Sequence, residues 1–209
     1  MGRHPLSGLA GSDTIHGNDG NDTLNSAAAT GDLRLNSGAG VDLITSGPGN
    51  GTIYFSSVND VVWSGLGNDM LYGDSGDDSL ACESNDDQFH GGTGNDTVFN
   101  GAGNDTLTGG SGNDSFAFDT SGGHDLVSDF DMSLGGGHTT DQLDVSELHN
   151  ADGSTLRPWD IPVSDDGHSQ ALQSFPGGKS VALGGVSPTQ MPQHGMRWRC
   201  CVLLRAPGL

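Results

Sequence analysis

The chain has 209 residues, of which 36 are Gly, 27 are acidic and only 7 are Lys or Arg, so its formal net charge is −20. Such an acidic chain is a poor partner for nucleic acid or an anionic membrane surface. Hydrophobic residues make up only 32%, which is low for a globular domain, and no stretch approaches the roughly 20 apolar residues of a membrane span.

The first residues contain no apolar run, so we expect no N-terminal secretory signal. Residues 8–25 then hold two nine-residue blocks, with Asp13 and Asp22 at the sixth position. After two inserted residues the next block is degenerate, with Leu33 in place of the acid and Leu35 at the apolar eighth position. A fixed internal period of this kind decides the architecture before any single element does.

The main array runs from residue 37 to residue 117 and divides into nine blocks of nine. Its clearest block, Gly91–Phe99, has the pattern G-G-x-G-x-D-x-apolar-x. The sixth position is held in turn by Asp42, Gly51, Asp60, Asp69, Asp78, Asp87, Asp96, Asp105 and Asp114. The eighth position is always apolar: Ile44, Ile53, Val62, Leu71, Leu80, Phe89, Val98, Leu107 and Phe116.

Each block reads as a tight glycine-rich turn followed by a very short strand whose middle side chain points inward. Two blocks complete one winding of a flattened coil, so blocks two apart stack at the strand spacing of roughly 4.8 Å. Carboxylates that close repel each other. A hard cation removes the repulsion, and calcium takes both carboxylate and backbone carbonyl oxygens.

These blocks resemble the RTX, or haemolysin-type, calcium-binding nonapeptide repeat of bacterial secreted proteins. The resemblance implies an all-β fold, a right-handed parallel β-roll, with several Ca²⁺ ions between successive turns. A glycine-rich linker is the alternative, but it has no reason to keep an apolar residue at every eighth position. The carboxylates predicted to bind metal are Asp22, Asp42, Asp60, Asp69, Asp78, Asp87, Asp96, Asp105, Asp114 and Asp125. The predicted glycine ligands are Gly76, Gly92, Gly94, Gly101, Gly103, Gly110 and Gly112.

Block quality varies, and three departures lead to expectations. The blocks at 55–63 and 82–90 keep the acid but lack the glycines, so we expect their turns either to be strained or to bind calcium poorly. A second two-residue slip makes 120–128 a last block, with Asp125 and Val127 in the acidic and apolar positions. On one side of the roll the acids follow without a gap from Asp22. On the other side Leu33 and Gly51 interrupt them, so we expect its first half to bind no calcium.

Beyond the array, the segments at 125–130 and 140–148 resemble the sequences that commonly close RTX arrays. Phe130 and Leu143 are the candidates to cover the end of the roll. Short apolar runs separated by turn residues then predict a small antiparallel β-unit, which resembles the C-terminal segment of type I secretion substrates. We therefore expect four segments: a β-roll at 8–128, a cap at 129–150, a small β-unit at 151–191 and a disordered tail at 192–209.

The cysteines predict neither a disulfide framework nor a zinc site, because Cys82 is alone in its block and Cys200 and Cys201 are adjacent. In some relatives a self-processing Hint domain follows the array, but residues 196–202 do not match its start.

Enzyme motifs are absent, including the H-E-x-x-H of serralysin-like proteases, the nucleophile elbow and the phosphate loop. We therefore expect no enzyme. The resemblance implies a calcium-binding structural module that type I secretion machinery exports and that folds outside the cell. One alternative is an adhesin or glycan-binding module that uses outward aromatics such as Tyr54 and Tyr72. The other is a non-catalytic fragment of a larger RTX enzyme.

Overall fold

The computed structural model describes residues 5–8, 10–131, 141–146, 148, 154, 163–165, 171–175, 179–184, 186 and 202–203. These residues form strands and turns and contain no helix. The strands make two sheets, and almost all neighbours within a sheet run parallel. The predicted all-β parallel β-roll is confirmed.

Strands are numbered in chain order, and the first fifteen alternate between the two sheets. The first sheet has the order β1 (Pro5–Leu6), β3 (Thr23–Asn25), β5 (Leu43–Thr45), β7 (Val61–Trp63), β9 (Ser79–Ala81), β11 (Thr97–Phe99), β13 (Ser115–Ala117), β15 (Gln142–Asp144) and β19 (Val202–Leu203). The second sheet has the order β16 (Val163–Asp165), β17 (Ala171–Ser174), β18 (Ser180–Leu183), β14 (His124–Val127), β12 (Thr106–Ser111), β10 (Gln88–Thr93), β8 (Met70–Tyr72), β6 (Gly51–Tyr54), β4 (Leu33–Asn36) and β2 (Thr14–His16).

The register of the sheets follows the nine-residue period. Phe89 lies between Leu71 and Leu107, its counterparts two blocks before and after it. At the two slips the offset grows by two residues, so that Ile15 pairs with Leu35 and Leu107 pairs with Val127. The two-block winding and both predicted slips are therefore confirmed.

The core is a narrow layer between the two sheets. In the main array every eighth-position side chain is completely buried, with 0% exposure. Ile15, in the first winding, and Leu6, which pairs with Leu24, are partly buried. Burying such a side chain contributes about 1.5–3 kcal/mol, so each winding adds one apolar contact layer from each sheet.

The turns use positive φ angles at the second and fourth positions of a block. In the clearest block these are Gly92, at 109°, and Gly94, at 132°. The blocks without glycine place Val58, at 83°, and Asn85, at 84°, in the fourth position. A non-glycine residue in the left-handed region is strained, so the strain expected in these two blocks is present.

The end of the roll differs in detail from the expected cap. Leu143 does not cover the end but continues the first sheet, because β15 pairs in parallel with β13. Phe130 packs against Phe116, with ring centroids 6.1 Å apart. Strand β18 likewise extends the second sheet beyond β14. An exposed strand edge favours such additions, since it leaves backbone groups unpaired.

The C-terminal part contains the antiparallel strands β16, β17 and β18. Two residues of the expected disordered tail form β19, which pairs with β15; the rest of 192–209 lies outside the described residues. The division into four segments stays a prediction.

Candidate metal centre

The sixth-position aspartates form two ladders, one along each edge of the roll. The backbone N–H of each aspartate donates to Oδ1 of the aspartate one winding further on. For example, Asp78 donates to Asp96 over 2.8 Å, and Asp96 donates to Asp114 over 2.9 Å. The first ladder contains Asp22, Asp42, Asp60, Asp78, Asp96, Asp114 and Asp141. The second ladder contains Asp69, Asp87, Asp105 and Asp125.

The structure thus brings the ten predicted carboxylates into two rows, and it adds one that the sequence reasoning missed. Asp141 accepts the N–H of Asp114 at Oδ1 over 3.1 Å and that of Asp131 at Oδ2 over 2.8 Å. The sequence did contain a signal for Asp141. Asp141 precedes Leu143 by the same spacing that separates the acidic sixth position from the apolar eighth position in every block. That these aspartates bind metal stays a prediction.

Burial strongly disfavours the charged form of these carboxylates. The pKa of Asp60 and that of Asp96 rise to about 7, and the pKa of Asp87 rises to about 8. Desolvation is the main cause, and neighbouring carboxylates in the same ladder add to it. Raising a carboxyl pKa from 3.8 to about 7 costs about 4 kcal/mol of stability above neutral pH. A few such groups would cancel the whole stability of a domain, about 5–15 kcal/mol, so the ionised ladders need cations.

The second half of the first ladder has the donor set that a hard cation requires. No hydrogen bond reaches Oδ2 of Asp78, Asp96 or Asp114, and each residue is at most 2% exposed. A Cβ atom placed on Gly91 would lie under 3.0 Å from Asp96 Oδ2 and from the Gly109 carbonyl oxygen. A carboxylate oxygen and a carbonyl oxygen therefore converge beside the first position, where no side chain can stand between them, and Ca²⁺ takes both kinds of oxygen.

First-position glycines were absent from the predicted ligand set. Gly73 and Gly109 repeat the close approach of Gly91, each to the carboxylate of its own block. Unlike Gly92 and Gly94, these residues have no positive φ, so glycine is required there for space and not for backbone angle. The double glycine that opens a block was the sequence signal from which these first-position glycines could have been predicted. The predicted glycine ligands lie in the turns beside the ladders, and their role as ligands stays a prediction.

The second ladder is built differently at the same position. Its blocks begin with Ser46, Ser64, Cys82 and Asn100 in place of glycine, and all four side chains are buried. Asn100 Nδ2 donates to Asp105 Oδ2 over 3.0 Å. Side chains of the protein therefore fill part of the space that stays open along the first ladder.

The second ladder ends on a buried lysine. Lys179 is 1% exposed, and its Nζ lies 3.3 Å from Asp125 Oδ2. The same Nζ donates to the Gly101 carbonyl oxygen over 3.2 Å. A carboxylate and a glycine-turn carbonyl are also the ligands expected for calcium, so the ammonium group supplies the positive charge at this last step.

A parallel β-roll with buried carboxylates stacked beside glycine turns defines a class of calcium-binding repeat module. The model of the RTX calcium-binding nonapeptide repeat matches in four copies, at residues 6–33, 34–53, 58–80 and 83–116. These copies cover just over half of the chain, which therefore belongs to the RTX calcium-binding nonapeptide repeat family. The family implies that the module binds Ca²⁺.

No curated protein matches this chain in sequence. Among solved structures, it is similar to the AlgE6R3 subunit of the mannuronan C5-epimerase of Azotobacter vinelandii, determined in solution. The identity is 21% and the TM-score 0.38, over 81% of this chain and 91% of that one. Within the described residues, no helix is long and apolar enough to cross a membrane.

Proposed function

We propose that the chain is a structural module of an exported protein, unfolded before export and folded around Ca²⁺ outside the cell. The observation that carries this proposal is the second half of the first ladder, where buried Asp78, Asp96 and Asp114 each keep an Oδ2 atom without a hydrogen bond. Without cations, the buried and mutually repelling carboxylates of the ionised ladder destabilise the folded state. Metal binding and folding are then one equilibrium.

Calcium-dependent folding suits the expected route. Cytosolic calcium is scarce, whereas extracellular calcium modules bind at roughly 10⁻⁴–10⁻³ M. The chain would pass a type I secretion channel as an extended polypeptide and fold on the far side. The resemblance of the C-terminal part to type I substrates supports this route and an extracellular location.

Calcium titration followed by far-ultraviolet circular dichroism tests the folding step. Asp96→Asn keeps the Oδ1 acceptor for the Asp78 N–H but removes the charge from two adjacent steps of the ladder. It should raise the calcium midpoint clearly. Asp13→Ala is the matched control, because the next residues on its side of the roll are Leu33 and Gly51; it should barely move the midpoint. A β-rich chain that persists at pH 8 after calcium removal would contradict the proposal, as would equal shifts in the two variants.

Export is tested separately. Deleting residues 159–209 should abolish export from a host that carries a type I system, while the intracellular level of the chain shows that it is still made. Undiminished export of the shortened chain would place the signal elsewhere.

A second candidate function is recognition of a glycan or cell surface by the outer face of the second sheet. Tyr54, Tyr72 and His90 stack there in a row, with centroids 5.0 and 4.9 Å apart, and the Arg34 guanidinium lies 4.9 Å from the Tyr54 ring centre. Because the rings stack on one another, the row presents ring edges to a ligand, and the polar edges of Tyr and His can hydrogen-bond to sugar hydroxyls. Glycan-array binding that is lost in Tyr54→Ala and Tyr72→Ala but kept in Trp63→Ala, on the other sheet, would favour this function.

A further inference from the structure

Cys82 interrupts the second ladder at the position where the clearest blocks have glycine. Its side chain is 7% exposed, and its Sγ accepts a hydrogen bond from the Ser64 hydroxyl over 2.8 Å. Sγ and one carboxylate oxygen each from Asp69 and Asp87 all lie within 4.8 Å of one another. A sulfur and two carboxylates therefore face one small volume between successive windings.

The two carboxylates reach this volume with unsatisfied oxygens. Their Oδ1 atoms are occupied, because Asp69 Oδ1 accepts the Gly51 N–H over 2.6 Å and Asp87 Oδ1 accepts the Asp69 N–H over 2.7 Å. No backbone N–H reaches either Oδ2, although the residues are only 2% and 1% exposed. The side-chain donors beside these carboxylates are the Ser64 hydroxyl at Asp69 and the Cys82 thiol itself at Asp87. Buried carboxylate oxygens of this kind normally have a partner, and a cation is the partner that also removes their repulsion.

We propose that Asp69, Cys82 and Asp87 form a site for a thiophilic divalent cation such as Zn²⁺, different in kind from the all-oxygen positions of the first ladder. Calcium takes oxygen ligands, whereas a thiolate favours zinc and other softer metals. Only the thiolate binds, so metal binding releases the thiol proton to water. The site needs a single cysteine because the other two ligands come from the repeat itself.

The geometry requires a small contraction. Zinc lies about 2.3 Å from sulfur and about 2.0–2.2 Å from oxygen, so tetrahedral ligand atoms stand about 3.3–3.8 Å apart. The most distant of the three atoms, up to 4.8 Å apart, must therefore approach by up to about 1.5 Å, and the larger Cd²⁺ needs less movement. Cys82 also lines a surface cleft of about 210 Å³, together with Phe99 and Phe118.

The test uses Cd²⁺, whose bond to thiolate gives an ultraviolet charge-transfer band. The full chain carries Cys200→Ser and Cys201→Ser, so that Cys82 is the remaining thiol. It is folded in calcium with a thiol-free reductant and titrated with cadmium. We expect the band to saturate near one equivalent. Cys82→Gly, which restores the residue of the clearest blocks, and Cys82→Ser should both abolish it. Because losing even an outer partner weakens a metal site about 10–100-fold, cadmium affinity should fall by at least about tenfold in both variants.

Circular dichroism of the same samples separates this site from calcium-dependent folding. The inference is overturned if the folded chain gives no band at stoichiometric cadmium, or if the band survives in the Cys82→Gly variant. It is equally overturned if calcium at its folding concentration displaces cadmium from the chain that keeps Cys82 as readily as from the Cys82→Gly variant. None of these outcomes affects the proposed function, whose failure is read from the calcium titration alone.

Discussion

Val58 shows, at the scale of one residue, that the winding of the repeat fixes the backbone conformation at each position of a block. It occupies the fourth position of a block with a φ of 83°, where neighbouring blocks have glycine. Its side chain is 47% exposed, and its N–H donates to the Ser75 carbonyl over 2.8 Å. The side chain therefore contributes little packing, while the backbone hydrogen bond does not depend on it. The local conformation comes from the winding and not from the preference of valine.

We predict that Val58→Gly stabilises the calcium-bound roll by about 1 kcal/mol. Relief of the left-handed strain is worth about 1–2 kcal/mol, and the added freedom of glycine in the unfolded chain offsets about 0.5–1 kcal/mol of it. Asn85→Gly is the matched control at a φ of 84°, since asparagine tolerates this region and should gain much less. Denaturant unfolding in saturating calcium measures both. A loss of stability in Val58→Gly would show that the valine side chain contributes packing after all.

At the scale of the element, the residue at the first position of each block determines whether a side chain stands beside the carboxylates of a ladder. Along the second half of the first ladder, the opening glycines leave space beside the carboxylates. Along the second ladder, Ser64, Cys82 and Asn100 extend into the corresponding space. The two edges share one backbone register, so the difference between them is set by one side chain per block.

Gly91→Ala should therefore weaken calcium binding, because its new methyl group meets Asp96 Oδ2 and the Gly109 carbonyl. We expect the calcium midpoint to rise by at least about tenfold, the scale seen when a metal site loses a supporting group. Asn100→Gly is the converse change, since it removes the amide that caps Asp105 and opens the second ladder. Equilibrium dialysis should then find an additional calcium ion per chain. An unchanged calcium midpoint in Gly91→Ala would show that the first position of the block does not contribute to calcium binding.

The repeat made most of this architecture predictable, because each block carries its own turn, acid and inward residue. The two slips were visible for the same reason, since Asp and the apolar residue resume their spacing after each one. Lys179 was not predictable, because it meets Gly101 across 78 residues of sequence and belongs to no repeat. The approach of Cys82 to Asp69 was equally hidden, as it depends on which side chains meet between windings.

At the scale of the whole molecule, the ladders couple folding to both calcium and protons. In the metal-free chain, Asp60 and Asp96 have a folded pKa of about 7 against 3.8 in the unfolded chain. The folded state therefore binds more protons than the unfolded state between these values, and its stability falls as pH rises from about 4 to about 7. Calcium reverses this trend, because it binds the ionised carboxylates and must displace the protons.

We therefore predict opposite pH trends with and without calcium. The metal-free chain should be most structured near pH 4 and least structured at pH 8. The calcium midpoint should rise as pH falls from 8 to 6, by up to about tenfold per pH unit for each proton that an ion displaces. Circular dichroism at each pH measures both, with calcium removed by desalting because chelator affinity itself changes with pH. Asp96→Asn should show a shallower dependence, since it removes one of the titrating groups. A midpoint that stays constant from pH 6 to pH 8 would mean that ionisation of the buried ladders does not control calcium binding.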